Sequence, residues 1–101
     1  MIDIKVGNIY CFKLNSGEEV VSNVSEVEDT HVGLNKPLSV AMSQQGPQMI
    51  PSLITGNPSE TMWLNLSICS LIGEVGSDIL EVYTKGTSEL DLPPDKKIIM
   101  E

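Results

Sequence analysis

Alternation constrains this chain more than any other feature. Tyr10, Phe12 and Leu14 are apolar at every second position, and Asn15-Ser16-Gly17 follows at once. A period of two is the period of a strand, and glycine after two polar residues supplies the positive φ of a tight hairpin. A chain that turns back here must pair its next segment antiparallel to the first. That segment carries Val20-Val21, Val24 and Val27, which do not keep one strict period. A bulge in a strongly curved strand reconciles them.

The same reading continues along the chain. Val32, Leu34, Leu38, Val40 and Met42 share even positions, with Lys36-Pro37 disturbing the middle. Proline gives no amide to a ladder, so an edge or bulge is expected there. Met49, Ile50, Leu53 and Ile54 form an apolar island around Pro51, read as a short irregular edge strand. From Met62 to Val75 both faces are apolar, as in a strand buried on both sides. Strands are therefore expected near 2–14, 18–28, 31–43, 48–55 and 61–75. Residues 77–86 fit a short helix with Ser77 as N-cap and Gly86 as its end, although Asp78 to Tyr83 also alternates as a strand. Residues 1–86 then make one domain, and 87–101 make a tail with Pro93-Pro94 as an extended spacer.

Composition removes several function classes. Fourteen acidic residues face six lysines and no arginine, for a net charge of −8. Such a field repels nucleic-acid backbone, and the side chain best fitted to phosphate is missing. No apolar run has a membrane-crossing length, and the first residues lack a signal-peptide pattern, so a cytoplasmic location is expected. Cys11 and Cys69 sit in apolar stretches and read as free, buried thiols. With His31 the only histidine, no metal ligand set assembles, and no cofactor is expected. No nucleophile elbow, phosphate loop or paired metal ligands occur, so no catalytic residue is expected.

The stretch Leu14-x-x-Gly17-x-x-Val20, then Val24, Val27, Asp29-Thr30-His31-Val32-Gly33-Leu34 and Leu38, resembles the first signature of the Sm-like family. The whole chain is similar to short Sm-like proteins of marine tailed phages. The resemblance covers about a quarter of the chain. It implies a mostly β fold: a small, strongly bent, five-stranded antiparallel barrel, with a C-terminal helix in the short phage forms. It also implies a ring closed by edge strands of identical subunits, with uridine-rich RNA read on one face. By the same resemblance Asp29 supports a base pocket, His31 stacks on the base, and Gly33 stands where a base-reading asparagine belongs. Leu71-Ile72-Gly73 stands where Ile-Arg-Gly is usual. Glycine offers no side chain to a base edge, so the uridine site reads as eroded.

Two expectations follow from that resemblance. The first is a non-catalytic, ring-forming homo-oligomeric scaffold or interaction module, with copies of itself and other proteins as partners. The alternative is an RNA-binding ring of weak or altered base preference, with single-stranded RNA as partner. No membrane partner is expected.

Overall fold

The computed structural model describes residues 3–53 and 55–90, and their side chains except those of 88–90. The expected strand start at Ile2, Ile54 of the apolar island, and the tail with Pro93-Pro94 and Lys96-Lys97 lie outside the described residues. The elements are β1 (Ile9–Leu14), β2 (Glu19–Val27), β3 (His31–Ser43), β4 (Gly46–Pro51), β5 (Met62–Asn65), a 3₁₀ turn (Leu66–Ile68), β6 (Cys69–Glu74) and α1 (Ser77–Leu90).

Every ladder is antiparallel, and the strands run in the order β4-β3-β2-β1-β6, with β5 beside the first half of β3. This corrects the expected five-stranded closed barrel. Among the described residues the sheet has six strands, and no ladder joins β4 or β5 to β6, so it stays open. The reason lies in the segment expected as one strand over 61–75. Asn65 breaks it: its Oδ1 accepts the Ser67 amide at 3.0 Å, and the 3₁₀ turn follows. The chain thus passes from β5, on the β3 edge, to β6, on the β1 edge, without pairing the two. Two bonds anchor the crossing: Leu66 N–H donates to Thr30 O at 2.9 Å, and Asn15 N–H donates to Ile68 O at 2.7 Å. Nor is this segment buried on both faces. Leu64 is buried, but Trp63, Ile68 and Leu71 are exposed.

The hairpin at Asn15-Ser16-Gly17 forms where alternation demands it. Gly17 has φ 95°, and Leu14 N–H donates to Glu18 O at 2.8 Å. The strand expected from residue 2 begins only at Ile9, because Gly7 (φ 93°) turns the chain and donates its amide to Val24 O at 2.7 Å. Two bulges bend the β2–β3 ladder. Ser22 alone opposes Lys36-Pro37, and Ser25 is the extra residue between Val24 and Glu26. These are the two places where the sequence loses its period.

Curvature gives the sheet two apolar faces. On one, Tyr10, Phe12, Val20, Val24, Val32, Leu34 and Leu64 form the main core, with Leu66, Cys69 and Ile72 packed against it. On the other, α1 lays Tyr83 and Ile79 over Val21 and Leu38. Tyr83 explains how a bulge is tolerated inside a sheet. Its hydroxyl is shared between Asn35 O (3.1 Å) and Lys36 O (2.9 Å), and accepts Asn23 N–H at 3.0 Å. The bulge frees these backbone groups, and a buried phenol satisfies them. The helix continues through Gly86, where the sequence expects its end. A Cβ at Gly86 would touch Leu38 Cδ1 at 3.4 Å, so the glycine lets the helix lie close on β3.

Candidate functional site

An open sheet has edges, and the two edges of this one differ. Ser52, just after β4, donates its N–H to Pro37 O on β3 at 3.2 Å. By strand alternation, the even-numbered amides of β4 face β3 and the odd-numbered ones face away. The odd positions are Pro47, Met49 and Pro51. Two of them have no N–H, so Met49 alone offers an outward donor, and the β4 edge is blunted against further pairing.

The β6 edge carries no proline, and its one irregularity is a bulge at Ser70, where the register with β1 shifts between Lys13 and Leu14. Since Leu14 N–H bonds to Glu18 O, the even amides of β1 face β2 and the odd ones face β6. The inward pairs of the β1–β6 ladder are therefore Cys11 with Gly73 and Lys13 with Leu71. Ile72 and Glu74 turn their N–H and C=O groups outward, and β6 contains no proline. Beside this row Leu71 is 67% exposed. It stands over a shallow groove lined by Cys11, Phe12, Lys13, Glu19, Ile72 and Gly73. Lys13 has Leu71 on one side and Glu19 on the other, so opposite charges are neighbours across the sheet. The arrangement offers backbone donors and acceptors, an apolar contact and compensated charge. That is the equipment for adding a strand.

The residues singled out by the family resemblance do not form one site. Asp29 and His31 line an open depression with Thr30, Asn65, Leu66 and Ser67. The His31 ring is held by Thr30, with Nδ1 and Oγ1 at 2.7 Å. Gly33 is outside that depression and buried in the ladder between Glu26 and Trp63. A Cβ there would lie 2.9 Å from Thr61 Cγ2 and 3.1 Å from Glu26 Cβ. Packing accounts for this glycine, with no reference to a ligand.

Among the described residues no cluster of His, Cys, Asp or Glu is arranged to hold a metal ion, and no buried side-chain polar atom lacks a hydrogen-bond partner. No helix among them is long and apolar enough to cross a membrane. Both thiols are free. Cys11 packs on the helix-bearing face and Cys69 on the main core, so the sheet separates them. Burial pushes the Cys69 thiol up, away from the reactive thiolate.

The strand edge was not singled out from sequence as a site. Its signal was the contrast between the prolines at 47 and 51, one just before and one inside the expected strand 48–55, and the proline-free run from Cys69 to Glu74. No protein-family model matches the chain, and no curated protein matches it. The resemblance to the Sm-like family is withdrawn on these findings and on the open sheet. The ring-forming scaffold and the RNA-binding ring both presuppose a closed barrel, and both fall with it.

Proposed function

We propose that this chain is a non-catalytic protein-interaction domain that accepts an extended polypeptide strand along β6. One observation carries the reading: among the described residues the sheet ends on a proline-free strand with Ile72 and Glu74 turned outward, while its opposite edge is blunted by Pro47 and Pro51. An unpaired edge is a template for any strand that reaches it, and proteins that avoid such pairing block it. Among the described residues one edge is blunted by two prolines, while the other is free of proline and unpaired along residues 71–74 beyond its single bulge at Ser70. Exposed Leu71 gives the added strand an apolar contact, and the acidic character of the chain favours a partner carrying lysine or arginine.

Selection from a random peptide library tests this, run in parallel against the protein and against the double variant Leu71→Glu, Glu74→Pro. Recovered peptides should be extended and proline-poor, slow amide exchange over 70–74, and lose binding to the double variant. Peptides that bind both proteins equally, or that leave the exchange of 70–74 unchanged, refute the reading.

A further inference from the structure

We infer that the strand received by β6 belongs to a partner protein and lays an aromatic side chain over Gly73, in the antiparallel order basic, aromatic, any, aliphatic. The inference rests on the strand-accepting reading above and deepens it by stating what the partner's sequence must contain. It uses only residues 71–74, past the bulge at Ser70. There Gly73 pairs inward with Cys11 and Leu71 with Lys13, so the outer sides of Gly73 and Leu71 are non-hydrogen-bonded positions. At such positions facing Cα atoms approach to about 4.5 Å and side chains meet most closely. Ile72 and Glu74, whose backbone groups point outward, exchange the hydrogen bonds with the incoming strand.

Gly73 leaves a notch in this edge. Gly33, Gly46 and Gly73 all stand in strands, but Gly33 is crowded and Gly46 has φ 107°. At Gly73 a Cβ would meet nothing within 4 Å and φ is not positive, so neither crowding nor backbone strain calls for glycine. A bare position inside a strand weakens it and marks a place where another molecule comes close. The floor of the notch is the half-buried Cys11, whose Sγ lies 3.4 Å from Gly73 O. Along the chain it is bounded by exposed Leu71 on one side and, on the other, by Val75, which packs in the same cluster as Cys11. An aromatic ring covers bare strand backbone and takes a sulfur at its edge, which a small side chain cannot do. Charge sets the neighbouring position. Lys13 already has Glu19 across the ladder, whereas Glu74 is exposed and faces Tyr10 rather than a cation. An antiparallel partner therefore sets a cation opposite Glu74, the aromatic opposite Gly73 and an aliphatic residue opposite Leu71. The net charge of −8 favours the same cation.

The random peptide library reads this order directly. Peptides recovered on the parent protein should carry Lys or Arg, then Phe, Tyr or Trp, then an aliphatic residue two places on. Replacing that aromatic by alanine should weaken binding by at least about tenfold. Gly73→Leu fills the notch from within and meets no crowding, so the variant folds and should no longer select an aromatic. Glu74→Lys should exchange the preferred cation for an acid. Bound peptide should slow alkylation of Cys11, while Cys69, on the opposite face, keeps its rate. Three results overturn the inference: aromatic selection that persists on Gly73→Leu, cation selection that persists on Glu74→Lys, or Cys11 alkylated as fast with peptide as without. The reverse order of residues overturns it too, because it marks a parallel partner. If peptides slow exchange over 70–74 but carry no selected aromatic, this inference fails alone. If none bind along 70–74, the strand-accepting reading fails as well.

Discussion

The middle of the sheet and its edges are built for different purposes. In β2 and β3, side chains are buried on both faces, and both departures from regular pairing are compensated within the fold. The Lys36-Pro37 bulge is satisfied by Tyr83 from the helix, and Ser22, buried beside it, donates to Asn35 O at 3.2 Å. At β4 and β6, most side chains are exposed and the outer backbone groups face solvent. Stability is therefore concentrated in the middle, and contacts with other molecules are available at the rim. A substitution in the middle should change unfolding free energy, whereas one at the rim should change association.

The largest test of that division is Phe12→Ala. Phe12 is fully buried where β1, β2 and β6 meet, so its removal leaves a cavity among Val20, Val24 and Ile72. A loss of about 3–5 kcal/mol is expected, a large part of the stability of a domain this size. Urea denaturation measures it. A loss below about 1 kcal/mol would mean that the main core is looser than its burial implies.

Tyr83→Phe comes next and separates packing from hydrogen bonding. The ring stays, but Asn23 N–H and the carbonyls of Asn35 and Lys36 lose the hydroxyl they share. Leaving such buried groups unmatched should cost about 1–3 kcal/mol. The same residue gives the fold an alkaline limit. Burial pushes the Tyr83 phenol above its ordinary 10.0, and burial does the same to the Cys69 thiol above 9.0. In the unfolded chain both groups release protons at their ordinary values, so over this range the unfolded state binds fewer protons than the native one. Their contribution is complete below about pH 9 and declines as pH rises through the raised native values. Tyr83→Phe should flatten the upper part of that decline in a denaturation series.

Gly33→Asn should cost a similar or smaller amount, about 1–3 kcal/mol, by forcing side-chain atoms between Thr61 and Glu26. By the withdrawn family resemblance this change would have restored a base-reading amide. In the structure it strains the β2–β3–β5 junction. Thermal melts distinguish the two, because an unstrained surface substitution would leave the midpoint unmoved.

These residues also mark how far the sequence was legible. The hairpin at Gly17, the bulge at Lys36-Pro37 and the bend after Val24 were readable because each is a local conflict between period and backbone chemistry. Closure of the sheet was not local. It depended on whether Met62 to Val75 stayed one strand, and Asn65 decides that by capping a 3₁₀ turn inside a run whose apolarity hides the break. The surroundings of Gly33 were hidden for the opposite reason. A short motif places it by resemblance, while the crowding a side chain would meet there comes from Thr61, far along the chain and invisible to spacing. Residues 77–86 fit a short helix by spacing and capping, but periodicity alone also admits a strand over Asp78 to Tyr83. What decides is the uncovered patch of Val21 and Leu38, which needs Tyr83 and Ile79 from one helical face.

The smallest expected change in stability, and the sharpest test of the contrast between the edges, comes from Pro47→Thr with Pro51→Thr. Both prolines lie at outward positions of β4, so replacing them disturbs no bond to β3 and adds two outward amides. Each substitution should cost at most about 0.4–1 kcal/mol, through the greater freedom of the unfolded chain. Association should change far more. The variant would present pairing edges on both sides of the sheet, β4 on one and β6 on the other. Pairing of β4 with β6 is head-to-tail and does not close, so chains should grow into extended assemblies. Light scattering should therefore rise more steeply with concentration in the variant than in the parent. Adding Leu71→Glu should suppress that growth by disabling the other edge. If the double proline variant scatters no more than the parent, the prolines are not what keeps β4 single, and the distinction drawn between the two edges fails.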